Sequence, residues 1–175
     1  MGAPYGRRPR TMTLDLRAVE TLLYDEARYL DEGRWDEWLD LYVDDAVFWI
    51  PAWKSETEVT SDPTRELSLV YYQGRKNLED RVWRARSGMS VASAPLPRVV
   101  HQITNISLCA EDAEGAQVAS NFSVHLYDKR SSRTHLFFGR YNHTLVLQAK
   151  SIKIAQKKII LLNDTIPTVL DFYCI

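Results

Sequence analysis

From Arg98 onward, four segments at 99–108, 118–127, 135–147 and 152–162 alternate apolar with polar residues and are rich in Val, Ile, Phe, Tyr and Thr. A period of two held over ten residues sends every other side chain to the same face, the pattern of a half-buried antiparallel strand. The connections carry turn chemistry at Glu114-Gly115, at 129–133 and at 149–151, each short enough for a hairpin. This run predicts a meander with one wet face, and such a sheet must bury its other face against something.

The first half supplies that cover. Thr13 is the expected N-cap of a first helix in which Val19, Leu22, Leu23, Ala27 and Leu30 recur at helical spacing until Gly33 stops it. Trp35, Trp38, Leu39 and Tyr42 form a second helical stripe, with Asp36, Glu37 and Asp40 outside it. Residues 46–50 read as a short strand closed by Pro51 and ending at a sheet edge. A polar stretch follows at 54–67 with a turn at Asp62-Pro63, then a short helix at 78–85 and a Ser-, Ala- and Pro-rich loop at 87–97. Helices first and strands after predict an α+β fold, with the helices packed on one face of a strongly curved, largely antiparallel sheet. We read residues 1–12 as a flexible leader and 13–175 as one domain.

Composition removes several function classes. Twenty-two basic against 23 acidic residues leave a net charge of −1, so no bulk positive field attracts nucleic acid. The longest apolar run, residues 46–53, contains Pro51 and is far short of the roughly 20 residues that cross a bilayer. Two cysteines, Cys109 and Cys174, make no disulfide framework and suit a reducing, cytoplasmic setting.

The usual chemical motifs are missing. The four histidines at 101, 125, 135 and 143 form no HxH, HxxxH or HExxH pattern. His135 and His143 share strand parity but lie about 27 Å apart along a strand, too far for one ion. There is no GxSxG and no glycine-rich phosphate cradle. Acid–base work in a pocket between helices and sheet remains, with Tyr24, Asp25, Tyr29, Asp31 and His101 as candidates; Val99 and Ile103 share the strand face of His101. The aromatic residues of the first half, Trp35, Trp38, Trp49, Trp53, Tyr71, Tyr72 and Trp83 among them, favour an interface as well as a core. Tyr71, Tyr72, Arg81 and Trp83 are the candidate partner-interface residues.

EARYLDEGRWDEWLDLYVDDAVFWIPAW at 26–53 resembles the N-terminal signature of the small, or beta, subunits of Rieske-type aromatic-ring-hydroxylating dioxygenases. SDPTRELSLVYY (61–72), NLEDRVWR (77–84), RVVHQITNI (98–106) and KKIILLNDTIPTVLDFYCI (157–175) are similar to the benzoate, toluate and anthranilate branch. The resemblance implies a cystatin-like roll, the fold of nuclear transport factor two, ketosteroid isomerase and scytalone dehydratase. It also implies a non-catalytic role in aromatic catabolism. A larger alpha subunit would carry the Rieske [2Fe-2S] cluster and a mononuclear Fe(II), NADH electrons would arrive through a ferredoxin or reductase component, and beta–beta contacts would help build an α3β3 hexamer. No cofactor is expected in this chain, because Cys109 and Cys174 offer no spaced Cys/His pairs. The alternative is a stand-alone dehydratase or isomerase of the same roll using His101, Tyr24 and Asp25. His101 resembles one catalytic histidine of scytalone dehydratase, whereas Asn121 stands where the second would fall.

Overall fold

The computed structural model describes residues 14–88, 95–112, 115–167 and 169–175. Helix α1 spans Leu16–Asp31 and opens on Asp15, whose carboxylate accepts the Arg17 amide at 3.2 Å. The expected cap, Thr13, lies outside the described residues. At the other end Gly33 takes a φ of 68°, and the amides of Gly33 and Arg34 donate to the carbonyls of Leu30 and Tyr29. That pair of bonds is a Schellman stop, which glycine satisfies without a Cβ penalty. Helix α2 (Trp35–Asp40) follows at once, and Tyr42, read as the end of its stripe, instead begins strand β1 (Tyr42–Pro51).

Strand β1 is longer than expected and does not lie at a sheet edge. It is flanked by β2 (Ser68–Gln73), antiparallel, and by β6 (Ser151–Leu161), parallel. Strand β2 was not expected from sequence; none of its six residues is fully buried, Leu69 and Gln73 are exposed, and the strand shows no clean alternation. Pro51 sits beside a register shift opposite Ser68, where a missing N–H costs least. Helix α3 (Arg75–Arg86) buries Leu78, Val82 and Ala85.

The predicted meander forms as β3 (Arg98–Glu111), β4 (Gly115–Asp128), β5 (Arg133–Gln148) and β6. The β5–β6 turn places both Ala149 and Lys150 at positive φ, the handedness that matches strand twist. Of the first connection, Glu114 lies outside the described residues. One sheet results, in the order β2-β1-β6-β5-β4-β3, with α1 laid over β3 and α3 against β1.

The core lies in the cone between helices and sheet. It is closed by the last residues of the chain: Phe172, Tyr173, Cys174 and Ile175 are all buried, the first three forming a short 3-10 turn, η1 (Phe172–Cys174). Phe172 stacks on Trp38 at 5.0 Å and meets Trp35 edge-on at 5.3 Å. Arg81 of α3 holds the buried Asp171 carboxylate through both oxygens, which secures this segment in place.

Candidate functional site

Two histidine–carboxylate pairs occupy the cone, and both carboxylates come from α1. The first joins Asp31, in the last turn of α1, to His101 on the inward face of β3. Nδ1 of His101 lies 2.6 Å from Asp31 Oδ1, and its backbone amide donates to the same carboxylate at 3.0 Å. A carboxylate only accepts, so a proton belongs on Nδ1, and in the neutral tautomer that follows the lone pair lies on Nε2. That nitrogen is buried and has no hydrogen-bond partner among the described residues.

The second pair belongs to a larger network around Glu26, which is 2% exposed. Tyr42 donates its hydroxyl proton to Oε1 at 2.5 Å, and the Lys157 ammonium donates to the same oxygen at 2.9 Å. His143 Nε2 lies 3.3 Å from Oε2. Lys157 also sits 4.2 Å above the Tyr141 ring. Burial alone would raise the Glu26 pKa, but Lys157, His143 and Tyr42 reverse that and hold the carboxyl far below the usual range. Burial pushes His143 down despite the neighbouring carboxylate, so the ring is neutral. The hydroxyls of Tyr42 and Tyr141 are driven well above the phenol range, by burial first and then by Glu26. The cluster is therefore a compensated ion pair with neutral neighbours, and every proton donor that touches Glu26 is already committed to it.

The candidates named from sequence separate on this frame. His101 and Asp31 come together. Tyr24 is half exposed on the outward side of α1, and Asp25 is spent on Arg28 at 2.5 Å, so neither joins His101. The Tyr29 ring packs beneath the Arg34 guanidinium at 4.5 Å. Asn121 points out of the cone from β4, while its neighbours Ser120 and Phe122 point in. Of the interface candidates, Tyr72 stacks on Phe48 and Arg81 is engaged by Asp171, whereas Trp83 is exposed on α3 and Tyr71 lies on the sheet face opposite the cone. Sequence reasoning passed over Glu26, Tyr42, His143 and Lys157. Position was the available signal: Glu26 falls inside the apolar stripe of α1, and Lys157 shares the inward parity of Ile159 and Leu161.

Metal ligation finds no set of donors. Among the described residues no group of three or more His, Cys, Asp or Glu is placed to hold an ion. Cys109 is exposed on β3, and Cys174 is buried, its thiol bonded to the Asp171 carbonyl at 3.1 Å and its pKa pushed up to about 12 by burial. Two thiols so differently placed do not fit a Rieske cluster, which needs paired Cys and His ligands.

A roll of this kind, with a cone closed by helices, defines the class to which the nuclear transport factor two-like proteins belong. A Novosphingobium aromaticivorans protein assigned as a scytalone dehydratase shares the fold at a TM-score of 0.66, with 15% identity over 90% of this chain and 92% of that one. Within the class the assignment is narrower: residues 25–168 match the ring hydroxylating beta subunit family, and the chain belongs to it. It is similar to the toluate 1,2-dioxygenase subunit beta of Pseudomonas putida, with 39% identity over 93% of this chain and 99% of the relative. The crystal structure of the benzoate 1,2-dioxygenase beta subunit from Burkholderia mallei superposes with a TM-score of 0.77 at 34% identity, covering 93% and 99% of the two chains.

Proposed function

We propose that the chain is the small subunit of an oxygenase that adds both atoms of O2 to an aromatic carboxylate of the benzoate type. In this reading a large subunit carries the Rieske cluster and a mononuclear iron. Electrons reach it from NADH through a separate reductase or ferredoxin component. Three copies of each chain form the assembly, with beta–beta contacts among them, in the cytoplasm. The chain's own part is structural: it presents a rigid roll on which the large subunits are arrayed. One observation carries this reading. Over nearly its whole length the chain follows beta subunits of benzoate and toluate dioxygenases, while its cone is filled by its own side chains.

The direct test is co-production with a large subunit of the benzoate dioxygenase type from the same source, using a tag on this chain. The expected result is recovery of a larger, iron- and sulfide-containing partner in equal amount. Recovery of this chain alone, at any salt concentration, would contradict the reading.

A second reading is favoured by one geometry, the His101–Asp31 dyad with its unpartnered Nε2. It makes the chain an acid–base dehydratase or isomerase. Against it stand the separation of Tyr24 and Asp25 from His101 and the packing of Phe172 and Ile175 in the cone. On this reading His101→Ala, in folded protein, abolishes a turnover shown by the isolated chain. If the isolated chain turns nothing over, the reading fails.

A further inference from the structure

The helices cover only one face of the sheet. On the opposite face, strand register resolves the outward positions of β3, β4 and β5 into rows of three. The rows run Arg98–Tyr127–Thr134, Val100–His125–Leu136, Gln102–Ser123–Phe138 and Thr104–Asn121–Arg140. Two properties set this surface apart from an ordinary solvated sheet face, which alternation normally keeps polar.

First, large apolar side chains stand in the middle of it: Val100 is 54% exposed, Leu136 43% and Phe138 42%. Val100 and Leu136 flank His125 in one row, and Phe138 follows in the next. A depression of about 210 Å³ opens beside them between Val100, His125, Tyr127 and Thr134. Contiguous exposed apolar side chains rimmed by polar ones mark contact surfaces.

Second, the charge is of one sign. None of the twelve positions is Asp or Glu, and the two ends of the patch are Arg98 and Arg140. Neither arginine forms an ion pair with a described residue. Arg34, Arg75, Arg81 and Arg86, on or beside the helices, are paired within the chain, whereas Arg17 and Arg84 on those helices, like Arg98 and Arg140, form no ion pair with a described residue. Apposing this face to the same face of a second copy would bring together two surfaces that each carry arginine and no carboxylate, a like-charge arrangement that costs affinity. An acidic surface with apolar side chains at its middle meets both features.

We infer that the open face of β3–β4–β5, centred on Val100, Leu136 and Phe138 and bounded by Arg98 and Arg140, is the docking surface for an acidic, partly apolar surface of the large oxygenase subunit. This rests on the small-subunit reading above and assigns the surface that reading leaves open. Apolar residues at the centre supply burial, and the two arginines fix orientation and the rate of encounter.

The experiment uses full-length chain co-produced with the large subunit and isolated through a tag on the small one. The ratio of the two chains and the mass in solution are then read by light scattering. Wild type, Arg98→Glu/Arg140→Glu, Phe138→Ser and Trp83→Ala are compared after circular dichroism shows each folded; all these positions are exposed. The expected result is at least a tenfold loss of large subunit with the double reversal and with Phe138→Ser, and full recovery with Trp83→Ala, which tests the rival α3 surface that the aromatic pattern of the sequence offered as the interface. Three results would overturn the assignment. They are undiminished recovery of large subunit with the face variants, loss with Trp83→Ala alone, and a fall in the mass of the isolated small chain while large subunit is retained. The last would place a second copy on this face. If wild type itself retains no large subunit, the small-subunit reading fails instead, so the two failures are distinct.

Discussion

At the scale of single residues, the Glu26–Lys157 pair shows how a buried charge is tolerated. Both side chains are almost fully enclosed, at 3% and 1% exposure, and removing one partner leaves the other charged in a dry interior. Lys157→Met should therefore cost about 3–5 kcal/mol of unfolding free energy. Adding Glu26→Gln should recover part of that loss, which denaturant titration of the single and double variants measures. Equal stability of Lys157→Met and wild type would contradict the network. The pH dependence follows from the same groups. His143 and Glu26 both have folded pKa values below their ordinary values of 6.5 and 4.5, so the unfolded chain binds more protons as acid is added. Their stabilisation is complete above pH 6.5, is first drawn down by His143, and falls further below pH 4.5 as the unfolded carboxyl protonates. Stability measured from roughly pH 8 to 4 should decline with a slope approaching about 1.4 kcal/mol per pH unit for each proton taken up. His143→Gln should remove the upper part of the decline and leave the lower; a flat profile would show that neither group is linked to folding.

At the scale of elements, the last residues of the chain act as a packed segment of the core. Phe172 lies between Trp35 and Trp38, and Arg81 holds Asp171 beside it. Phe172→Ala should cost about 3–5 kcal/mol and alter the near-ultraviolet dichroism of the two tryptophans. Wild-type stability and spectrum in that variant would mean the segment is not seated in the cone. The sequence made this part of the architecture hard to read, because DFYCI has no periodicity and its burial depends on a cone assembled by distant strands. By contrast β3 to β6 were legible, since one face of each is buried and period-two alternation records that directly. The dyad was legible only in part: His101 had inward neighbours at 99 and 103, but its pairing with Asp31 rather than Asp25 depends on where α1 crosses β3. Glu26 and Lys157 escaped because a charge in an amphipathic element ordinarily faces water, and only a counter-charge 131 positions away reverses that expectation.

At the scale of the whole molecule, the chain combines a closed interior with an open sheet face. An interior occupied by compensated charges and aromatic rings lies behind a sheet face that the helices leave open. The family to which it belongs supplies the setting, and the uncovered rows of β3–β4–β5 supply a place for the partner. The most direct test separates the two chains of the purified oxygenase, determines iron in each and assays benzoate-dependent O2 uptake before and after recombination. The account predicts a colourless small chain with no stoichiometric iron and no uptake of its own, all iron in the large chain, and uptake restored on recombination. Iron bound by the isolated small chain together with benzoate turnover would contradict it.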